Sequence, residues 1–101
     1  MHLIQLLLPI KDNAGQPYEE QVFRSINATL VKQFGGVTAF SRVPAKGTWL
    51  NDDHEKRDDV IVVEVMAEGL DRGWWHAFRE GLEADMGQAE IVVRCHAIER
   101  L

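Results

Sequence analysis

Two amphipathic segments in this chain each end at a glycine, and the two glycines, Gly35 and Gly87, stand 52 positions apart. Before the first come Tyr18, Val22, Phe23, Ile26, Leu30 and Phe34; before the second come Leu70, Trp74, Trp75, Phe78, Leu82 and Met86. Apolar residues spaced by three and four mark one face of a helix, and glycine takes the left-handed conformation that closes one. The two sets match position for position. Continuing the same offset places Arg42 on Arg94, the pattern that two repeated β-α-β units leave in a sequence. Pro17 suits the first position of the first helix, and Asp71 suits the first turn of the second, which runs from Leu70 to Met86.

Four segments read as strands. Residues 2 to 9 form an apolar run ended by the turn-like Lys11-Asp12-Asn13-Ala14-Gly15, and Val37 to Val43 form a second strand that stops before Pro44. Asp59 to Ala67, dense in β-branched residues, is the third, and Glu90 to Ile98 the fourth. A polar connection from Pro44 to Asp58 separates the second and third. The expected fold class is α+β: a single ferredoxin-like β-α-β-β-α-β domain over residues 1–101, with a four-stranded antiparallel sheet carrying two helices on one face.

Alternation along each strand divides the sheet into two faces. One collects Ile4, Leu6, Leu8, Val37, Ala39, Val43, Ile61, Val63, Val65, Ile91, Val93 and Cys95, the expected helix-packed core. The other collects Leu3, Gln5, Leu7, Thr38, Phe40, Arg42, Val60, Val62, Glu64, Met66, Val92, Arg94 and His96. That second face has no helix left to cover it, yet it is too apolar to stand in water, so a second copy packing sheet to sheet is the expected cover. The expected partners are therefore a homodimer mate and a small-molecule ligand.

Gln5, Arg42, Glu64 and Arg94 are the polar exceptions on this face. They fit either an Arg–Glu network that sets dimer register or, through the forked guanidinium geometry, a seat for a carboxylate-bearing ligand. Gln5, Phe40, Arg42, Trp49, Glu64 and Arg94 form the candidate ligand site, Trp49 because an aromatic in a polar arm tends to dock onto something. His96 and Glu64 are the candidate proton-transfer groups. The plainer readings are a strand-end His96, a buried and inert Cys95, and core roles for Trp74 and Trp75. His2, His54, His76 and His96 have no helical i, i+4 pairing and no nearby cysteine, so no metal site is expected. Asn51-Asp52-Asp53-His54-Glu55 lacks the glycine and spacing of a calcium loop. No cofactor is expected.

Charge narrows the function classes. A formal charge of −5 without a basic cluster argues against nucleic acid. The first and third strands also offer aliphatic and polar residues where base-stacking aromatics would be needed. The opening apolar run is broken by Gln5 and Pro9 and has no preceding basic residue, so neither a signal peptide nor a membrane span is expected. A single cysteine suits a reducing compartment, and a cytoplasmic location is the expectation.

On its strand and helix order, the Phe34-Gly35-Gly36-Val37-Thr38 passage and the uncovered sheet face, the chain resembles the dimeric α+β barrel group, in which two such sheets face each other. Leu6-Leu7-Leu8-Pro9, Gly35-Gly36-Val37-Thr38 and Gly47-Thr48-Trp49 resemble small bacterial proteins of no assigned activity. The group includes cofactor-independent monooxygenases, haem-degrading enzymes, isomerases and plain binders, so the resemblance implies shape more than chemistry. The haem-degrading members' Trp and His roles do not carry over, because Trp75 and His76 are adjacent on a helix and point about 100 degrees apart. The expected function is binding of a small anionic or aromatic metabolite at the open face by a homodimer. The alternatives are a cofactor-independent monooxygenase or isomerase, and a purely structural role.

Overall fold

In the computed structural model, which describes residues 1–51 and 54–101 and, of 39–51 and 54–59, only the backbone, strand β1 (His2–Pro9) is the centre of the sheet. The elements that follow are α1 (Glu20–Phe34), β2 (Thr38–Asn51), β3 (His54–Ala67), α2 (Arg72–Met86) and β4 (Val92–Ala97). Strand β1 pairs antiparallel with β3 on one side, Ile4 opposite Val65 and Leu8 opposite Ile61, and with β4 on the other, Ile4 opposite Cys95. Its Ile4, Leu6 and Leu8 are fully buried with Val63 and Val65 of β3, and Ile61 beside them is buried. Ile26 and Leu30 of α1 and Trp75, Leu82 and Met86 of α2 join them in one cluster, so both helices cover this face. Burial of each such aliphatic side chain contributes about 1.5–3 kcal/mol.

The four-stranded ferredoxin-like sheet expected from the sequence is not what forms the body of this α+β fold. That body is three-stranded: β3, β1 and β4. The full order is β2-β3-β1-β4, but β2 lies alongside the body only through Thr38, Ala39 and Phe40, opposite Glu64, Val63 and Val62. The register then slips: Phe40 pairs with Val62 and Ala45 with Val60, so Ser41–Pro44 stand against Ile61 alone. Pro44 has no N–H to give a ladder, which suits it to such an irregularity. Beyond it Ala45–Asn51 pair with His54–Val60 as a two-stranded ribbon. The polar connection expected from Pro44 to Asp58 is therefore strand on both sides of residues 52–53.

Both helices span 15 residues, Glu20–Phe34 and Arg72–Met86, at the 52-residue offset seen in the sequence. Their starts differ from expectation. Pro17 does not open α1; it bridges to Lys11, and the Asp12 carboxylate accepts from the Ala14 and Gln16 N–H groups (2.9 and 2.8 Å) to hold a tight loop before the helix begins at Glu20. Asp71 lies just outside α2 as its N-cap, accepting from the Trp74 N–H at 3.0 Å. The ends agree with expectation. Gly35 and Gly87 take φ of 82° and 64°, and the Gln88 N–H donates to the Glu83 carbonyl (2.9 Å), completing a Schellman closure of α2. Among the described residues, no helix is long and apolar enough to cross a membrane.

A methyl group added at either Gly87 or Gly81 meets no atom within 4 Å, but only Gly87 has positive φ. Gly87→Ala is therefore expected to lower the unfolding free energy by about 1–2 kcal/mol, and Gly81→Ala, inside α2, to raise it by about 0.5–1 kcal/mol. Urea denaturation of the two variants reads the difference; equal effects would contradict the backbone assignment.

Candidate functional site

Because β1 presents Leu3, Gln5 and Leu7 on the face away from the helices, the strand pairings sort the open face into rows. Leu3 lies between Met66 and His96, Gln5 between Glu64 and Arg94, and Leu7 between Val62 and Val92. A polar row thus runs across the sheet between two apolar ones. In it the Gln5 amide donates from Nε2 to Glu64 Oε2 at 2.7 Å and accepts at Oε1 from Arg94 Nε at 3.0 Å. The sequence grouped Gln5, Glu64 and Arg94, and the structure places them together. The connection runs through the glutamine, with no ion pair between Arg94 and Glu64 among the described residues. Glu64 is half-buried and Arg94 exposed.

His96 is exposed at the edge of the same face, in the next row. Phe40, Arg42 and Trp49 belong to β2, and their side chains lie outside the described residues. Met66 and Val92 are 49% and 41% exposed, so the apolar rows remain open in the single chain.

Next to the polar row, a cleft of ≈ 1120 Å³ opens at the end of the sheet. Leu3, Thr38, Glu64 and Met66 form its sheet side; Phe34, Gly35 and Gly36 at the end of α1 and Glu68, Gly69 and Asp71 before α2 form the rest, with Arg100 at its margin. Three carboxylates against one guanidinium make the lining acidic. Sequence reasoning missed Glu68 and Asp71, because they sit in the passage from β3 to α2 and carry no periodic signal. The cleft exists because α1 stops at Gly35 and α2 starts at Arg72, leaving the sheet end uncovered.

A second, smaller cavity of ≈ 250 Å³ lies between α2 and β4, where Arg72, Trp75, His76, Arg79 and Cys95 meet. Cys95 is exposed there, which corrects the expectation of a buried thiol: alternation does put it on the helix side, but β4 is an edge strand and α2 leaves a gap beside it. Trp75 is buried as expected, stacked on Phe34 with ring centres 5.0 Å apart, and its indole N–H has no partner among the described residues. Trp74 packs edge-on to Phe34 and stacks with Phe78. Tyr18, read from sequence as part of an apolar helix face, packs against the core from the loop before α1 and does polar work as well. Its hydroxyl donates to the Met86 carbonyl and accepts from Gln88 Nε2 at 2.7 Å, pinning the loop before α1 to the end of α2.

The shared glutamine sets an energetic expectation. A double-mutant cycle between Gln5 and Glu64, read by chemical denaturation, should give a coupling of about 0.5–1.5 kcal/mol, and one between Arg94 and Glu64 no more than about 0.3 kcal/mol. A larger direct coupling between the two charges would contradict the geometry.

No family model matches the chain, and no curated protein matches it. Among solved structures the chain is similar to a phage SAM lyase in complex with S-methyl-5'-thioadenosine, with a TM-score of 0.65 at 13% sequence identity, covering 94% of this chain and 79% of that one. It is also similar to phage SAM lyase in the apo state, with a TM-score of 0.57 at 15% identity, covering 94% and 78%. These likenesses show neither a dimeric α+β barrel grouping nor a bacterial origin for this chain. At such identities the likeness establishes a shared small α+β fold.

Proposed function

We propose that this chain is a small-molecule-binding domain that takes its ligand in the acidic cleft beside the polar row, with a second copy covering the open sheet face. The observation that carries the reading is the half-buried Glu64 carboxylate, anchored by Gln5 and set beside the apolar Leu3–Met66 pair at the cleft wall. A carboxylate in that setting favours a ligand with a positive centre beside an apolar group. The cleft has the size of ligand sites in general, which run to roughly 1,000 Å³.

The anionic ligand suggested by the sequence fits less well. Arg94 gives its Nε to Gln5, and among the charged side chains that line the cleft three carboxylates stand against one guanidinium. The SAM lyase neighbours supply a class that matches: S-adenosylmethionine carries a sulfonium cation with a methyl group on it, a flat base and an α-amino acid end. Glu64 and His96, each a single candidate proton-transfer group, sit on β3 and β4 with β1 between them, about 10 Å apart at two strand spacings, so they do not serve one reacting atom together. The open rows of Leu3, Leu7, Val62, Met66 and Val92 support cover by a second copy.

Titration calorimetry with S-adenosylmethionine and with S-methyl-5'-thioadenosine tests the reading. The wild type should bind both; Glu64→Gln should weaken S-adenosylmethionine roughly ten- to a hundredfold, the worth of a charge-assisted contact, and leave the uncharged thioether within about twofold. Failure of the wild type to bind either, or an unchanged affinity for the sulfonium in the variant, would overturn it.

A further inference from the structure

We infer that the cavity between α2 and β4 is a second binding site, for a small organic anion: a carboxylate or phosphate group on a compact apolar body. The site is separate from the acidic cleft and stands independently of the function proposed for it. Its charge is the opposite of the cleft's. In a chain of net charge −5, the charged residues that border this cavity are all arginines, Arg72, Arg79 and Arg94, with His76 beside them and no carboxylate in the lining.

Helical spacing sets the arrangement. Arg72, Trp75, His76 and Arg79 stand at i, i+3, i+4 and i+7 of α2, one stripe of the helix, which meets Val93 and Cys95 of β4 across the cavity. Most of the basic groups are already engaged. Arg79 donates to Glu83 at 3.1 Å and to His76 Nδ1 at 3.2 Å, so His76 carries its proton on Nε2 and donates to Glu80 at 3.0 Å. Arg94 gives its Nε to Gln5 on the open face. Arg72 is the one left over: among the described residues no carboxylate pairs with it. It also opens α2, where the helix dipole is positive and a cation is least favoured. An anion in the cavity relieves both.

Trp75 is the second, independent observation. Its side chain is 6% exposed and forms part of the cavity wall, and its indole N–H has no acceptor among the described residues. A buried donor left without a partner is costly, and native structures nearly always supply one. An oxyanion at this wall accepts from the indole and from the Arg72 fork together. Ile4, Leu70 and Val93 line the rest, which suits an apolar body. The volume of ≈ 250 Å³ lies just below the usual range of ligand sites, roughly 300–1,000 Å³, and limits that body to about one ring.

Benzoate and phenyl phosphate are the probes that test this, with benzylammonium as the cationic control. In nitrogen–proton correlation spectra the Trp75 indole signal, assigned by triple-resonance spectroscopy, should move downfield and saturate with at least one of the two anions; the tighter of them identifies the anionic group. The same anion should slow the reaction of Cys95, the chain's one cysteine and exposed in this cavity, with a thiol reagent severalfold. Arg72→Gln, at an exposed position, should weaken binding about tenfold or more, the worth of a charge-assisted hydrogen bond. Arg72→Lys, which keeps the charge and loses the fork, should fall between the two; it carries the comparison if circular dichroism shows Arg72→Gln to be unfolded. Benzylammonium should give neither the shift nor the protection. A Trp75 signal that both anions leave in place, equal protection of Cys95 by benzylammonium, or an anion affinity unchanged in the Arg72 variants would overturn the inference.

Discussion

Everything in this molecule depends on the alternation along β1. As the middle strand of the three-stranded body, it sends Ile4, Leu6 and Leu8 into the helix-covered core and Leu3, Gln5 and Leu7 to the open face. A slip of one residue in either pairing would exchange those sets, placing Gln5 under the helices and three aliphatic side chains outside. The buried face fixes the register, and the register then fixes which residues meet on the other side. The contact of Gln5 with Glu64 and Arg94 is thus a consequence of core packing, on which a binding surface is built at no separate cost in backbone order.

That explains why so much was legible. The apolar run of residues 3–8, broken only by Gln5, and apolar residues at helical spacing before Gly35 and Gly87 are strong signals, and strand alternation applied to them gives the sheet faces, the helices and the Gln5–Glu64–Arg94 grouping. What was not legible lacks periodicity. The ribbon of β2 and β3 follows Pro44 and holds Gly47, ordinary loop signals, and its pairing joins two segments neither of which carries an apolar period. Asp71 reads equally well inside or just before a helix, and its capping role is decided by one hydrogen bond.

Cys95 shows a different limit. Alternation gives the side of the sheet on which a residue lies, but not whether its strand is central or at an edge, nor whether a helix reaches that far. The thiol lies on the correct side and is nonetheless exposed, beside the basic cavity. The acidic cleft was hidden for a similar reason: it is formed where two helices end and begin, a property of their lengths and placement rather than of any motif. The candidate site thus combines one row that sequence periodicity exposes with a wall that only the assembled fold creates.

The most direct test of the account exchanges character between neighbours on β1. Gln5→Leu and Leu6→Gln place the same two side chains on opposite faces, and their unfolding free energies can be compared by urea denaturation. The account predicts a loss of about 3 kcal/mol or more for Leu6→Gln, which buries an amide without partners, and a change within about 1 kcal/mol for Gln5→Leu. Equal losses in the two variants would contradict it, since they would mean that both faces of β1 are packed alike.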